Sequence, residues 1–252
     1  MNSPSSSALL SVIYQSACNL SARFKYIFLI GALVFSSAPL KSQDVDGDQL
    51  GAWYMLFVSK KFGDSKIGLQ GDYQFRFWDL GSDLEQILLR TGLTYRPNDD
   101  IMLTLGYGYI ATGQFGESTE TSSESRIYQE ALIPQRVGSR FLLTHRLRYE
   151  QRFVEGQDFR TRYRYNLFMN VPFNSTSLEK HTIYLALYNE IFINGQLDIG
   201  EGRTVQYFDR NRTYLGLGYN ILNNLRVQAG WMQQTTVNWT KGQLQASLHH
   251  SW

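Results

Sequence analysis

The 252-residue chain has one cysteine, five prolines and four histidines, and its basic and acidic side chains nearly cancel at +2. A lone Cys18 excludes a disulfide scaffold and any cysteine-built zinc or iron–sulfur centre. So small a basic excess gives no support for a nucleic-acid partner. No apolar run approaches the roughly 20 residues a membrane-spanning helix needs. What the chain has instead is 21 glycines and 14% aromatic residues. That composition excludes a disordered or collagen-like polymer and fits one large all-β domain.

The first residues have the order of an export signal. Arg23 and Lys25 precede the apolar stretch from Tyr26 to Phe35, and small residues Ser36, Ser37 and Ala38 follow. Cleavage after Ser42 is expected, because Pro39 disfavours a cut after Ala38. Residues 1–42 are therefore read as a signal peptide and 43–252 as the mature domain. The leader takes with it Cys18, Arg23, Lys25 and Lys41 and no acidic residue. The mature chain is then slightly acidic and free of cysteine, as suits passage through an oxidising compartment.

From Gly51 onward the apolar residues recur with period two, which marks strands with unlike faces. In 67–77 the odd positions are Ile67, Leu69, Gly71, Tyr73, Phe75 and Phe77, and the even ones Gly68, Gln70, Asp72, Gln74 and Arg76. Residues 141–153 and 159–171 repeat the pattern, with Arg146, Arg148, Glu150, Arg152, Arg160, Arg162 and Arg164 on one parity. A helix would scatter these charges around its circumference. Eleven such runs are visible, at about 51–62, 66–78, 84–96, 101–112, 126–137, 140–154, 159–172, 181–194, 210–221, 225–235 and 242–252. Short polar turns alternate with longer polar loops, the arrangement of an outer-membrane barrel.

Period two does not say which face is inside. Two features favour a polar lumen and a lipid-facing apolar surface. Lysine after the leader is confined to Lys60, Lys61, Lys66, Lys180 and Lys241, at strand ends or turns, whereas mid-strand cations are arginines. Arginine suits paired burial in a confined space. The chain also ends in an alternating strand, Leu244 to Trp252, resembling the C-terminal signal read by the barrel-assembly machinery. The expectation is an antiparallel up-and-down transmembrane β-barrel of 10–12 strands in the cell outer membrane, monomeric, with membrane lipid and that machinery as partners. Because single-chain bacterial barrels have even strand numbers, twelve is preferred to eleven.

Certain stretches carry a family resemblance. Arg126-Ile127-Tyr128-Gln129-Glu130, the run His145 to Phe153, residues Arg160–Arg164, Tyr188 to Asn194 and Arg210 to Tyr219 resemble an uncharacterised family of exported bacterial proteins. That family is classed as a domain of unknown function and is common in Bacteroidetes-type bacteria. The resemblance implies an outer-membrane barrel and no activity.

An arginine facing lipid near the bilayer midplane costs about 2–4 kcal/mol, so the charged parity is placed in the lumen. The candidate ligand-contacting residues are Arg146, Arg148, Glu150, Arg152, Arg162, Arg164, Glu190 and Arg212. Interlocked Arg and Glu would plug the barrel; surplus arginine would favour small anionic solutes. The alternative is a lipid-modifying or hydrolytic barrel enzyme, for which His249 beside Ser247 and Ser251 is the best candidate. No catalytic set is assigned. Asp44-Val45-Asp46-Gly47-Asp48 opens like a calcium loop, but the position requiring Glu is Met55, so no metal site and no cofactor is expected. Glycines 106, 108, 216 and 218 are placed on the lumen face. Tyr95, Tyr107, Tyr109, Tyr149, Phe153, Phe159, Trp231 and Trp252 are placed on the lipid face near strand ends.

Overall fold

The computed structural model describes residues 47, 49–116 and 120–252. The segment 1–42 expected to be a leader, the Gln43–Asp46 stretch and Asp48 lie outside the described residues, and with them most of the calcium-loop-like segment. The described residues form a closed, all-β barrel. Its strands are β1 (Gly51–Lys61), β2 (Ile67–Phe77), β3 (Leu84–Asn98), β4 (Ile101–Gly113), β5 (Thr121–Val137), β6 (Phe141–Val154), β7 (Arg160–Pro172), β8 (Ile183–Asn194), β9 (Phe208–Leu222), β10 (Leu225–Thr235) and β11 (Thr240–Ser251).

The preference for a twelfth strand is overturned, and so is a purely antiparallel wall. Ten neighbouring pairs are antiparallel, while β1 and β11 run parallel, from Gly51 opposite Gln243 to Ser59 opposite Ser251. An odd number of up-and-down strands cannot close any other way. Following the registers once around the wall returns to β1 about 14 residues from the start; with ordinary strand spacings this gives a tilt of roughly 40° and a radius of about 11 Å. The tilt is normal for a barrel. Long side chains from opposite walls therefore meet at the axis.

Parity decides what faces where. Even positions of β2–β10 and odd positions of β1 and β11 point inward. Two β-bulges break the rule, between Arg76 and Phe77 opposite β3 and between Phe192 and Ile193 opposite β9. They turn Glu85 and Asp209 inward, as bulges commonly re-aim a side chain. Among the described strand residues the outward row then carries no charge except Lys60, near the end of β1. Leu105, Leu215, Leu217 and Tyr107 are each more than half exposed there.

The eight aromatics assigned to the outward parity all lie on it. Tyr107 and Trp231 sit mid-strand, however, so they belong to the apolar band and not to a rim. β5 begins at Thr121, several residues before the expected start at 126. Its first turn of strand is polar on both faces, and register with Ala111–Gly113 of β4 holds it in place. One rim carries the connections 62–66, 99–100, 138–140, 173–182 and 223–224, and the other carries 78–83, 114–120, 155–159, 195–207 and 236–239. The ten-residue 173–182 connection is the exception to short turns on the first rim.

The lumen glycines make room for rings. A Cβ on Gly106 would lie 2.2 Å from Cζ of Tyr128, and one on Gly218 would lie 2.1 Å from Cζ of Tyr184. Each tyrosine lies across a glycine of the neighbouring strand and is almost fully buried. Gly106→Val is therefore expected to cost about 1–3 kcal/mol, as overpacking does. Denaturant unfolding in micelles would measure it, and the combination with Tyr128→Ala should recover part of the loss.

Candidate functional site

The charged residues of β5–β9 meet inside the barrel because their parity is shared and their registers align. Glu150 on β6 stands opposite Arg162 on β7, and Arg148 stands opposite Arg164. Glu150, fully buried, accepts from Arg162 Nη2 at 2.7 Å and from Arg164 Nη1 at 2.6 Å. Arg148 Nη1 and Arg126 Nη1 lie 3.7 and 3.9 Å from its oxygens. Glu190 accepts from Arg146 Nη2 at 2.7 Å and Arg164 Nη2 at 2.6 Å. Glu130 takes Arg148 Nη2 at 2.5 Å and the amide of Gln70 at 3.0 Å. Glu124 holds Arg126 and Arg152, each through Nε at 2.5 Å. Asp209 takes Arg162 Nη1 at 2.9 Å, and Asp72 pairs with Arg90.

Aromatic rings complete the lattice. Phe192, buried, has the guanidiniums of Arg164 and Arg212 4.4 and 4.7 Å from its centroid. Trp53 lies under Arg76 at 3.8 Å and under Arg212 at 4.7 Å. Its ring nitrogen donates to Glu85 at 2.8 Å. Such contacts offset part of the desolvation of a cation without supplying a counter-charge. Arg212 otherwise donates through Nε to Gln234 at 2.6 Å.

All eight candidate residues read from the sequence, Arg146 to Arg164 together with Glu190 and Arg212, fall in this one lattice. Sequence reasoning missed Glu124, because the segment before Arg126 reads as loop. Its even number, shared with Arg126, Tyr128 and Glu130, was the available signal. It also missed Glu85 and Asp209, whose odd numbers place them outward until the bulges are seen.

Two cavities flank the lattice. The one toward the 62–66 rim has a volume of about 560 Å³, and the one toward the 78–83 rim about 280 Å³. Arg76, Arg90, Arg164 and Arg212 line both, so their guanidinium layer is the wall between them. The smaller cavity is bordered at its rim by Trp78, which packs edge-on against Phe115 at 5.7 Å and Trp239 at 6.3 Å. The turn carrying Trp78 is fixed by Asp79, whose carboxylate accepts the amides of Gly81 and Ser82 at 2.8 and 2.7 Å. The Ser82 hydroxyl and these amides hold that carboxyl below the usual range.

The hydrolase candidate takes a simple form. Ser247 Oγ and His249 Nε2 are 2.9 Å apart on the lumen face of β11. His249 stacks on Phe57 at 4.7 Å and has Arg226 opposite in register. Among the described residues no carboxylate pairs with this histidine, so nothing orients or charges it as a triad requires. His145 and His250 face outward, and His181 occupies a turn with φ of 66°.

The fold and its interior define a closed eleven-stranded barrel filled by a buried Arg–carboxylate lattice. The chain belongs to the family described as protein of unknown function (DUF2490), whose model matches residues 50–245. It is also 28% identical over 206 residues to an uncharacterized protein of Methylorubrum extorquens, covering 81% of this chain and 85% of that one.

Proposed function

We propose that the chain is a monomeric barrel of the bacterial outer membrane, delivered there by the leader 1–42, with a lumen held shut by its own ion pairs. The observation that carries this is the separation of charge: no charged side chain on the outward row of the described strands except Lys60, and a cross-linked lattice within. In water that outward row would have no reason to exclude charge; in hydrocarbon it must. Export, residence in the outer membrane and recognition of β11 ending at Trp252 by the assembly machinery follow from the same reading. The part the protein then plays is structural, not that of an open pore.

A second reading has a specific observation behind it. Arg76, Arg160 and Arg212 have no carboxylate within 4.0 Å among the described residues, so the lumen retains positive charge that small anions would answer. No comparable observation favours hydrolysis. Planar-bilayer recording tests the closed lumen, with insertion verified by protease protection. Inserted wild-type protein is expected to give no steady conductance, and Arg76→Ala with Arg212→Ala to open an anion-preferring one. A steady open level from the wild type would overturn the closed-barrel reading.

A further inference from the structure

The smaller cavity, behind Trp78 and Trp239, has the wrong balance of groups for an inert void. Nine arginines line it, against Glu85 and Glu124. Carboxylates behind its wall neutralise several of them, but Arg76, Arg160 and Arg212 have no carboxylate within 4.0 Å among the described residues. Unanswered donors gather at the same place. Among the described residues, the Nε of Arg160, the ring N–H of Trp78 and the amide nitrogen of Gln234 are all buried without an acceptor, and so are Nε and Nη1 of Arg90. The residues bearing them are all more than nine-tenths buried. A buried donor left unmade costs about 1–3 kcal/mol, more when charged, and here several converge on one space of about 280 Å³.

We propose that this cavity binds a phosphate group, either free phosphate or a small phosphate monoester. The inference rests on the anion-favouring reading of the lumen, though not on the membrane placement. A dianionic tetrahedral group offers several acceptor oxygens in different directions and answers the positive excess together with the scattered N–H groups. Chloride answers the charge but not the geometry, and a neutral solute leaves the arginines as they are. Guanidinium forks match phosphate oxygens two at a time. Gln157 supplies a buried oxygen without a donor in the same cavity, suited to a hydroxyl or protonated oxygen of the ligand. The aromatic border of Trp78 and Trp239 is suited to the organic part of an ester. The volume admits a phosphate or a small ester head but no acyl chain.

Calorimetry on the full chain folded in uncharged detergent, at fixed ionic strength, tests this. The probes are inorganic phosphate, phenyl phosphate, dihexanoyl phosphatidic acid and chloride. Saturable binding of phosphate and phenyl phosphate is expected, with phenyl phosphate also quenching tryptophan emission. Binding by the phosphatidic acid alone would assign the same chemistry to a lipid head group. Arg160→Gln and Arg212→Gln are each expected to weaken binding at least tenfold, while Arg226→Gln, in the opposite half of the lumen, leaves it unchanged. Arg160 makes no ion pair among the described residues, so Arg160→Gln should fold with an unchanged or higher melting temperature. No saturable binding of any phosphate probe at millimolar concentration would overturn the proposal. So would chloride binding as tightly as phosphate, or binding unaffected by both substitutions. Such a failure leaves the bilayer recordings untouched, so the two readings fail separately.

Discussion

Glu150→Gln is expected to destabilise the barrel by about 3–5 kcal/mol, the loss typical of breaking a buried ion pair from one side. Glutamine keeps the shape of the side chain, removes its charge and turns one of the two acceptor oxygens into a donor. Arg162 and Arg164 would lose their shared acceptor at 2.7 and 2.6 Å, with Arg126 and Arg148 close behind. Four guanidiniums would face one another around a neutral amide. Guanidinium unfolding in micelles gives the magnitude, and loss of the heat-modifiable folded band on gels gives the sign independently. Replacing Glu150 and Arg164 together by leucine should be milder than Glu150→Gln alone, because one of the four facing guanidiniums leaves with the carboxylate, while Arg162 keeps Asp209 and Glu190 keeps Arg146. A change below about 1 kcal/mol for Glu150→Gln would contradict a central role for Glu150 and leave the arginines answered by Glu124, Glu130, Glu190 and Asp209.

How much of this was legible in the sequence follows from the range of the interactions. Strand positions depend on local alternation, and ten of the eleven are found within about three residues of the expected place. The exception, β5, opens with Thr121-Ser122-Ser123-Glu124, where both faces are polar and alternation has nothing to show. Pairs within one strand, such as Glu124 with Arg126, are visible as shared parity two residues apart. Pairs across one turn, such as Glu150 with Arg162, need only the hairpin register. Glu190 with Arg146 is a different case: the two stand on β8 and β6, with β7 between them, and meet only because the wall curves. No local pattern encodes that curvature. The eleven runs counted in the sequence are the eleven strands; only the preference for a twelfth failed, since parallel closure of β1 on β11 joins the two ends of the sheet and leaves no mark in either strand.

The second large effect belongs to the outer surface. Leu215 lies at the centre of β9, is 55% exposed, and stands in register with Leu187 on one side and Trp231 on the other. If hydrocarbon surrounds it, Leu215→Arg places a guanidinium near the bilayer midplane, and the expected cost is about 2–4 kcal/mol. If water surrounds it, the arginine is solvated at once, and a surface substitution of this kind changes stability by no more than about 0.5 kcal/mol. The lattice is indifferent to the change, because the side chain points away from it. The two environments are therefore separated without disturbing the lumen.

The decisive measurement is the unfolding free energy of Leu215→Arg relative to wild type, with both proteins folded into phosphatidylcholine vesicles and titrated with guanidinium chloride. A lipid-facing barrel with its charges turned inward requires a loss of about 2–4 kcal/mol. A loss within about 0.5 kcal/mol of zero would contradict it, and would place the apolar row of β9 in water.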